Sequence, residues 1–202
     1  MAGWLVDILR EAWIHRRSSG QALASLAGSW LEQGAAETEG SNAGPDVSWL
    51  IHDGGGSPDK RPPWCAYFVT SLCRQTARAG FKVSYTRTGR AVSHWMKADP
   101  AQRVARGDIW EDDPRGLIFV RTRLSKPIGE VAKVHRGISR QGHCGIVVDI
   151  DAVNRTITCV AGNSNGWGHS DKGGRGRVAK EVITENDAAW QRLVGFVRVA
   201  KA

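Results

Sequence analysis

Two β-branched runs joined by a short polar turn constrain this chain more than any other feature. Gly142-His143-Cys144-Gly145-Ile146-Val147-Val148-Asp149-Ile150 and Thr156-Ile157-Thr158-Cys159-Val160-Ala161-Gly162-Asn163 each read as a strand. Asp151 to Arg155 between them carries the Asp and Asn of a tight connection, so an antiparallel hairpin is the simplest pairing. With Ile150 set opposite Thr156, counting back along both strands sets His143 opposite Asn163 and Gly145 opposite Ala161. Directly opposed residues have Cβ atoms about 4.5–5.5 Å apart, which lets an amide at 163 orient an imidazole at 143. A slip of two residues keeps both on one face. Gly145 and Ala161 are small, which leaves room on that face for a helix to approach.

A second feature supplies that helix. In Pro63-Trp64-Cys65-Ala66-Tyr67-Phe68 a proline-stiffened segment turns into a run in which Cys65, Phe68, Val69, Leu72 and Cys73 recur at helical spacing, with Gly80 as a stop signal. Cys65 falls in the first turn, among unpaired backbone N–H groups at the positive end of the helix dipole. That setting favours thiolate, the nucleophilic form. The competing reading of any free cysteine is a small buried hydrophobe. For Cys73, roughly 12 Å further along the apolar stripe, the buried reading is preferred. Cysteine to attack, histidine to move the proton and asparagine to hold the ring is the logic of papain-like proteases.

These residues resemble a known family. Cys65 in PWCAYFV, His143 in GHCGIVV and Asn163 in AGNSN are similar to the motifs of the CHAP and NlpC/P60 peptidoglycan cysteine peptidases, in the family's order. They are closest to the small CHAP-like group of phage and bacterial cell-wall enzymes. Glu39-Gly40-Ser41-Asn42-Ala43-Gly44-Pro45 resembles the loop that precedes the nucleophile in that group. Ala91 to Trp95 resembles its alanine-and-tryptophan segment, Arg115 to Val120 its first core strand and Leu193 to Val197 its closing strand. The resemblance implies an α+β, papain-like fold with N-terminal helices packed on a small antiparallel sheet. It further implies Cys65, His143 and Asn163 as catalytic residues, no metal or organic cofactor, and peptidoglycan as substrate.

Two departures stand out. Many CHAP enzymes carry a glutamate two residues before the asparagine; here Ala161 occupies that place, and whatever the glutamate contributes is missing there. The stretch 122–141 is longer than the usual link. It carries Arg123, Lys126, Lys133, His135, Arg136 and Arg140, and it reads as an inserted basic loop or extra hairpin whose default role is a solvated excursion.

The rest of the chain fits one catalytic domain over 19–202, preceded by an amphipathic extension over 1–18. Ala22, Leu23, Leu26, Ala27, Trp30 and Leu31 have helical spacing after a serine-rich start, with Gly34 as the stop. A short helix over Val47 to Ile51 then ends at Gly54-Gly55-Gly56. That glycine run lacks the Lys-Ser/Thr of a P-loop and reads as a flexible approach to the nucleophile. Four cysteines without CxxC spacing read as thiols, and no structural zinc is expected. The hairpin register points Cys144 and Cys159 to opposite faces, so no bridge is expected between them.

A net charge of +8 suits polyanions such as cell-wall polymers. Interleaved aromatic and basic residues would also suit RNA, but no RNP or KH signature is present and no nucleic-acid partner is expected. The basic, glycine-rich run after Asn163 is expected to overhang the cleft, with Trp167 and His169 as substrate contacts. Its alternative is a mobile surface loop. Asn42 joins them from the preceding loop. Trp64 is a further candidate contact, with packing beneath the cleft as the competing reading. His94, His135 and the other histidines read as packing or surface residues.

No segment is long or apolar enough to span a membrane, and no signal peptide is recognised. The expectation is a protein made in the cytoplasm that reaches the cell wall through a phage tail, a holin or a secretion system. An immunity protein or delivery machinery would then be its partner. The scissile bond, in the peptide stem or between stem and sugar, is open. So are two competing functions: a catalytically idle wall-binding module of the same fold, and a papain-like amidohydrolase acting on a cytosolic amide.

Overall fold

A computed structural model describes residue 7 and residues 18–122, 127–135, 142–164 and 176–199. Its elements are mixed: helices α1 (Ser19–Gln33), α2 (Pro45–Asp53), α3 (Cys65–Arg78), α4 (Ala91–Met96) and α5 (Pro127–His135), and strands β1 (Arg103–Val104), β2 (Ile118–Thr122), β3 (Gly142–Asp151), β4 (Thr156–Ser164), β5 (Arg177–Thr184) and β6 (Leu193–Val197). The strands form one antiparallel sheet in the order β1-β6-β2-β3-β4-β5. The extension over 1–18 lies almost wholly outside the described residues.

Local chemistry sets the helix bounds. Ser18 caps α1 through a reciprocal box with Gln21, and Gly34 closes it at φ 69° in the left-handed region that glycine adopts without strain. Pro45 opens α2, where its missing N–H is no loss. Of the three glycines after α2, Gly54 and Gly56 are close-packed rather than a flexible approach. A Cβ on Gly54 would lie 2.7 Å from the Tyr67 carbonyl, and one on Gly56 would lie 2.6 Å from the Tyr67 ring.

The sheet is apolar on both faces. Ile118, Val120, Cys144, Ile146 and Val160 pack with α1, α3 and α4, while Phe119, Val147, Ile157, Cys159, Ala161 and Phe196 form a second cluster closed by Val104, Ile109 and Trp190. Cys144 and Cys159 thus stand on opposite faces and are not joined by a disulfide, as the hairpin register requires.

The hairpin register differs from expectation at one end. Next to the turn, Ile150 faces Ile157 and Asp151 faces Thr156. Val148 is then an extra residue on β3, and beyond this bulge Val147 faces Cys159 and Ile146 faces Val160. The register counted from the sequence therefore holds on the side that leads to His143. The Gly145–Ala161 face, however, does not receive a helix: a Cβ on Gly145 would meet Phe119. The helix instead approaches across Gly162, where a Cβ would lie 2.6 Å from Trp64 and 2.7 Å from Phe68.

The segment over 122–141 is not a hairpin in its described part. Pro127–His135 is helical, with Val134 in the core and the His135 ring 5.5 Å from that of Trp95.

Candidate active site

Cys65 is the first residue of α3. The cap position before it is Trp64, which makes no side-chain capping hydrogen bond, so the first N–H groups of this helix are not engaged by a cap. The Cys65 side chain is hydrogen-bonded to that of His143, near the start of β3. Both are buried, at 4% exposure each.

The ring of His143 has a second partner, and it is not Asn163. Its Nε2 lies 2.9 Å from Oε1 of Glu181 on β5, a carboxylate 2% exposed. The same oxygen accepts a hydrogen bond of 2.7 Å from the Ser164 hydroxyl. Oε2 is 2.9 Å from a guanidinium nitrogen of Arg121, an ion pair whose alignment falls short of a good hydrogen bond. The Phe119 ring lies beside the imidazole in a tilted arrangement, at 5.9 Å between ring centroids. Cys65, His143 and Glu181 therefore form one buried hydrogen-bonded series.

The expectation for Asn163 is corrected by a second bulge. Opposite β5, Ala161 faces Ala179 but Ser164 faces Arg177, so β4 carries one extra residue between them. Asn163 sits there at φ 54°, in the left-handed region. The extra residue removes Asn163 from the inward-facing set and puts Ser164 in its place. The Asn163 amide instead donates to Oδ1 of Asn42 at 3.2 Å. Both asparagines are half-buried, and Asn42 is also left-handed, at φ 54°.

No family model, curated protein or solved structure matches this chain.

Trp64 is not placed to touch substrate. It is fully buried, its ring lies on Gly162, and its indole N–H donates to Glu37 at 3.0 Å. Glu37, not anticipated from the sequence, also accepts the Gly176 N–H at 2.9 Å, while its own N–H donates to the Gly176 carbonyl at 2.8 Å. It ties the residue before Cys65 to the start of β5. Trp167 and His169 lie outside the described residues. Among the described residues, no group of three or more His, Cys, Asp or Glu is arranged to hold a metal ion.

The electrostatics follow from burial and pairing. Burial disfavours charge on His143 and is the largest single effect there. The Glu181 charge and the hydrogen bonds to Cys65 and Glu181 together outweigh it, leaving the imidazole above its ordinary value. Burial also acts on Glu181, in the direction of protonation, but His143, Arg121 and Ser164 hold its carboxyl down at about 2. The Cys73 thiol, wholly buried in the apolar stripe, is pushed far up by desolvation and is unsuited to attack.

Glu181 lies outside the motifs and expected strands of the sequence, in the run from Arg177 to Thr184. Its signal is nonetheless present: Ala179, Glu181 and Ile183 alternate on one side of a β-branched run, placing a carboxylate at an inward position. Such a group needs a buried partner.

Proposed function

We propose that this chain is a cysteine hydrolase of papain-like fold that cleaves an amide bond in or beside the peptide stem of peptidoglycan. The observation that carries the reaction class is the imidazole of His143, hydrogen-bonded at once to the Cys65 side chain and to the buried carboxylate of Glu181. A nucleophile, a base and a group orienting the base within hydrogen-bond reach is the arrangement covalent acyl transfer requires. The substrate class rests on the resemblance of the motifs around Cys65, His143 and Asn42.

In this mechanism the Cys65 thiolate attacks the amide carbonyl. Backbone N–H groups at the uncapped start of α3 hold the developing oxyanion, each contributing about 3 kcal/mol in the transition state. The His143 imidazolium protonates the leaving amine, and the neutral ring then takes a proton from the water that releases the acyl enzyme. Glu181 fixes the ring's orientation and offsets its charge. Asn42 and Asn163, half-buried and joined by their amides, are polar contacts for the substrate backbone.

The test is incubation of the protein and its Cys65→Ala variant with isolated sacculi, with soluble fragments identified by mass spectrometry. New amino termini within stems mark an endopeptidase; free stems with bare glycan mark an amidase. Equal release by wild type and Cys65→Ala removes Cys65 from the reaction. Tight binding of both proteins to sacculi without release returns the idle wall-binding module.

A further inference from the structure

We propose that Arg121 is a positioning residue of this site, a fixed cation that balances Glu181 and thereby sets the proton affinity of His143. The proposal rests on the hydrolase reading for its consequence in catalysis, but its geometry is independent of the substrate. Arg121 stands directly opposite His143 in the β2–β3 pairing, and its guanidinium reaches past the ring to Oε2 of Glu181 at 2.9 Å. Its side chain is 14% exposed and lies 6.0 Å over the Phe119 ring, which limits its hydration and holds it in place.

Charge balance explains why a cation belongs there. The reactive series exists in two forms, thiol with neutral imidazole or thiolate with imidazolium, and in both Cys65 and His143 together are neutral. Glu181 alone would leave either form with a net buried negative charge. Arg121 cancels it, so the interior carries no net charge in either form. The cation also opposes the imidazolium directly, so the ring releases its proton more readily than a buried His–Glu pair would allow.

Among the described residues, titratable and polar groups face this system from several elements. Cys65 comes from α3, Arg121 from β2, Cys159 and Ser164 from β4 and Glu181 from β5; Cys159 faces Glu181 in register, and its buried thiol is held protonated. His94 on α4 lies near Cys65, and burial keeps it neutral at ordinary pH.

The experiment follows the His143 Cε1–H resonance by NMR in Cys65→Ala protein, which isolates the ring from the thiol; the resonance is assigned by its loss in His143→Ala. Arg121→Met is expected to raise the titration midpoint by about one pH unit, and Arg121→Lys to restore most of the original value. A purely structural residue would lower stability and leave the midpoint in place. Should Arg121→Met alone fail to fold, Glu181→Gln is compared with Glu181→Gln/Arg121→Met, whose neutral pair leaves no uncompensated buried charge; the double variant is again expected to titrate higher. An unchanged or lowered midpoint on loss of the cation in the folded comparison overturns the proposal. Because the readout involves no substrate, failure to cleave sacculi removes the peptidoglycan reading and leaves this one standing.

Discussion

At the residue scale the site turns on which group holds the imidazole. An asparagine and a glutamate at that place differ in kind: a neutral amide orients the ring, whereas a buried carboxylate orients it and stabilises its charged form. Replacing Glu181 with Gln keeps the shape and one acceptor but removes the charge, so hydrolysis should fall by about a hundredfold or more. Asn163→Ala removes one neutral hydrogen bond to Asn42 and should cost less than about tenfold. Rates on one sacculus preparation, or on a soluble stem fragment released from it, rank the two. The reverse order would return the ring-holding role to Asn163. The resemblance had marked a missing glutamate at Ala161; here a carboxylate reaches the ring from the neighbouring strand instead, at Glu181.

The elements show where reading a sequence succeeds and where it stops. The bounds of α1 are written in local signals, Ser18 with Gln21 at one end and Gly34 at the other, and the start of α3 at Cys65 follows equally from its proline approach and apolar spacing. Strand pairing was legible as a period and not as a register. Bulges at Val148 and at Asn163 each insert one residue, and neither leaves a mark in composition that distinguishes it from a regular strand. The first happens to preserve the counted position of His143; the second exchanges Asn163 for Ser164. Close approach was legible as small residues but not as the right ones, since Gly145 meets Phe119 while Gly162 admits α3. Gly162→Ala should therefore place a methyl against Trp64 and Phe68, costing about 1–3 kcal/mol. Because those two residues bracket the first turn of α3, the variant should also lose turnover beyond what its unfolded fraction explains. Denaturant melts beside rates measured well below the melting range separate the two effects; a full-stability variant would show that the contact yields freely.

The whole molecule carries its stability against acid in a few buried groups. His94 is 1% exposed, and neither ring nitrogen has a hydrogen-bond partner of good geometry. Burial draws its pKa down from 6.5 to about 4, although the Ala66 backbone and the Cys65 charge oppose the shift. The fold therefore keeps His94 neutral while the unfolded chain takes up a proton below 6.5. More protons on the unfolded side mean that stability falls as pH drops from about 6.5 to about 4, by up to roughly 3 kcal/mol from this group. Glu181 acts in the next window. It stays ionised in the fold down to about 2 but protonates in the unfolded chain near 4.5, so its contribution, of similar order, is lost as pH falls between those values. His143 has the opposite sign: its raised affinity favours the fold while it is charged and fades as pH rises through its folded value. Acid should thus weaken the protein in two overlapping stages. Thermal melts at about pH 7, about pH 5 and about pH 3 on wild type and His94→Leu test this. The variant should lose less than wild type from about pH 7 down to about pH 4, and so in both intervals, while the loss that remains in the variant between about pH 5 and about pH 3 is the Glu181 stage. Parallel losses throughout would move the first stage to another group.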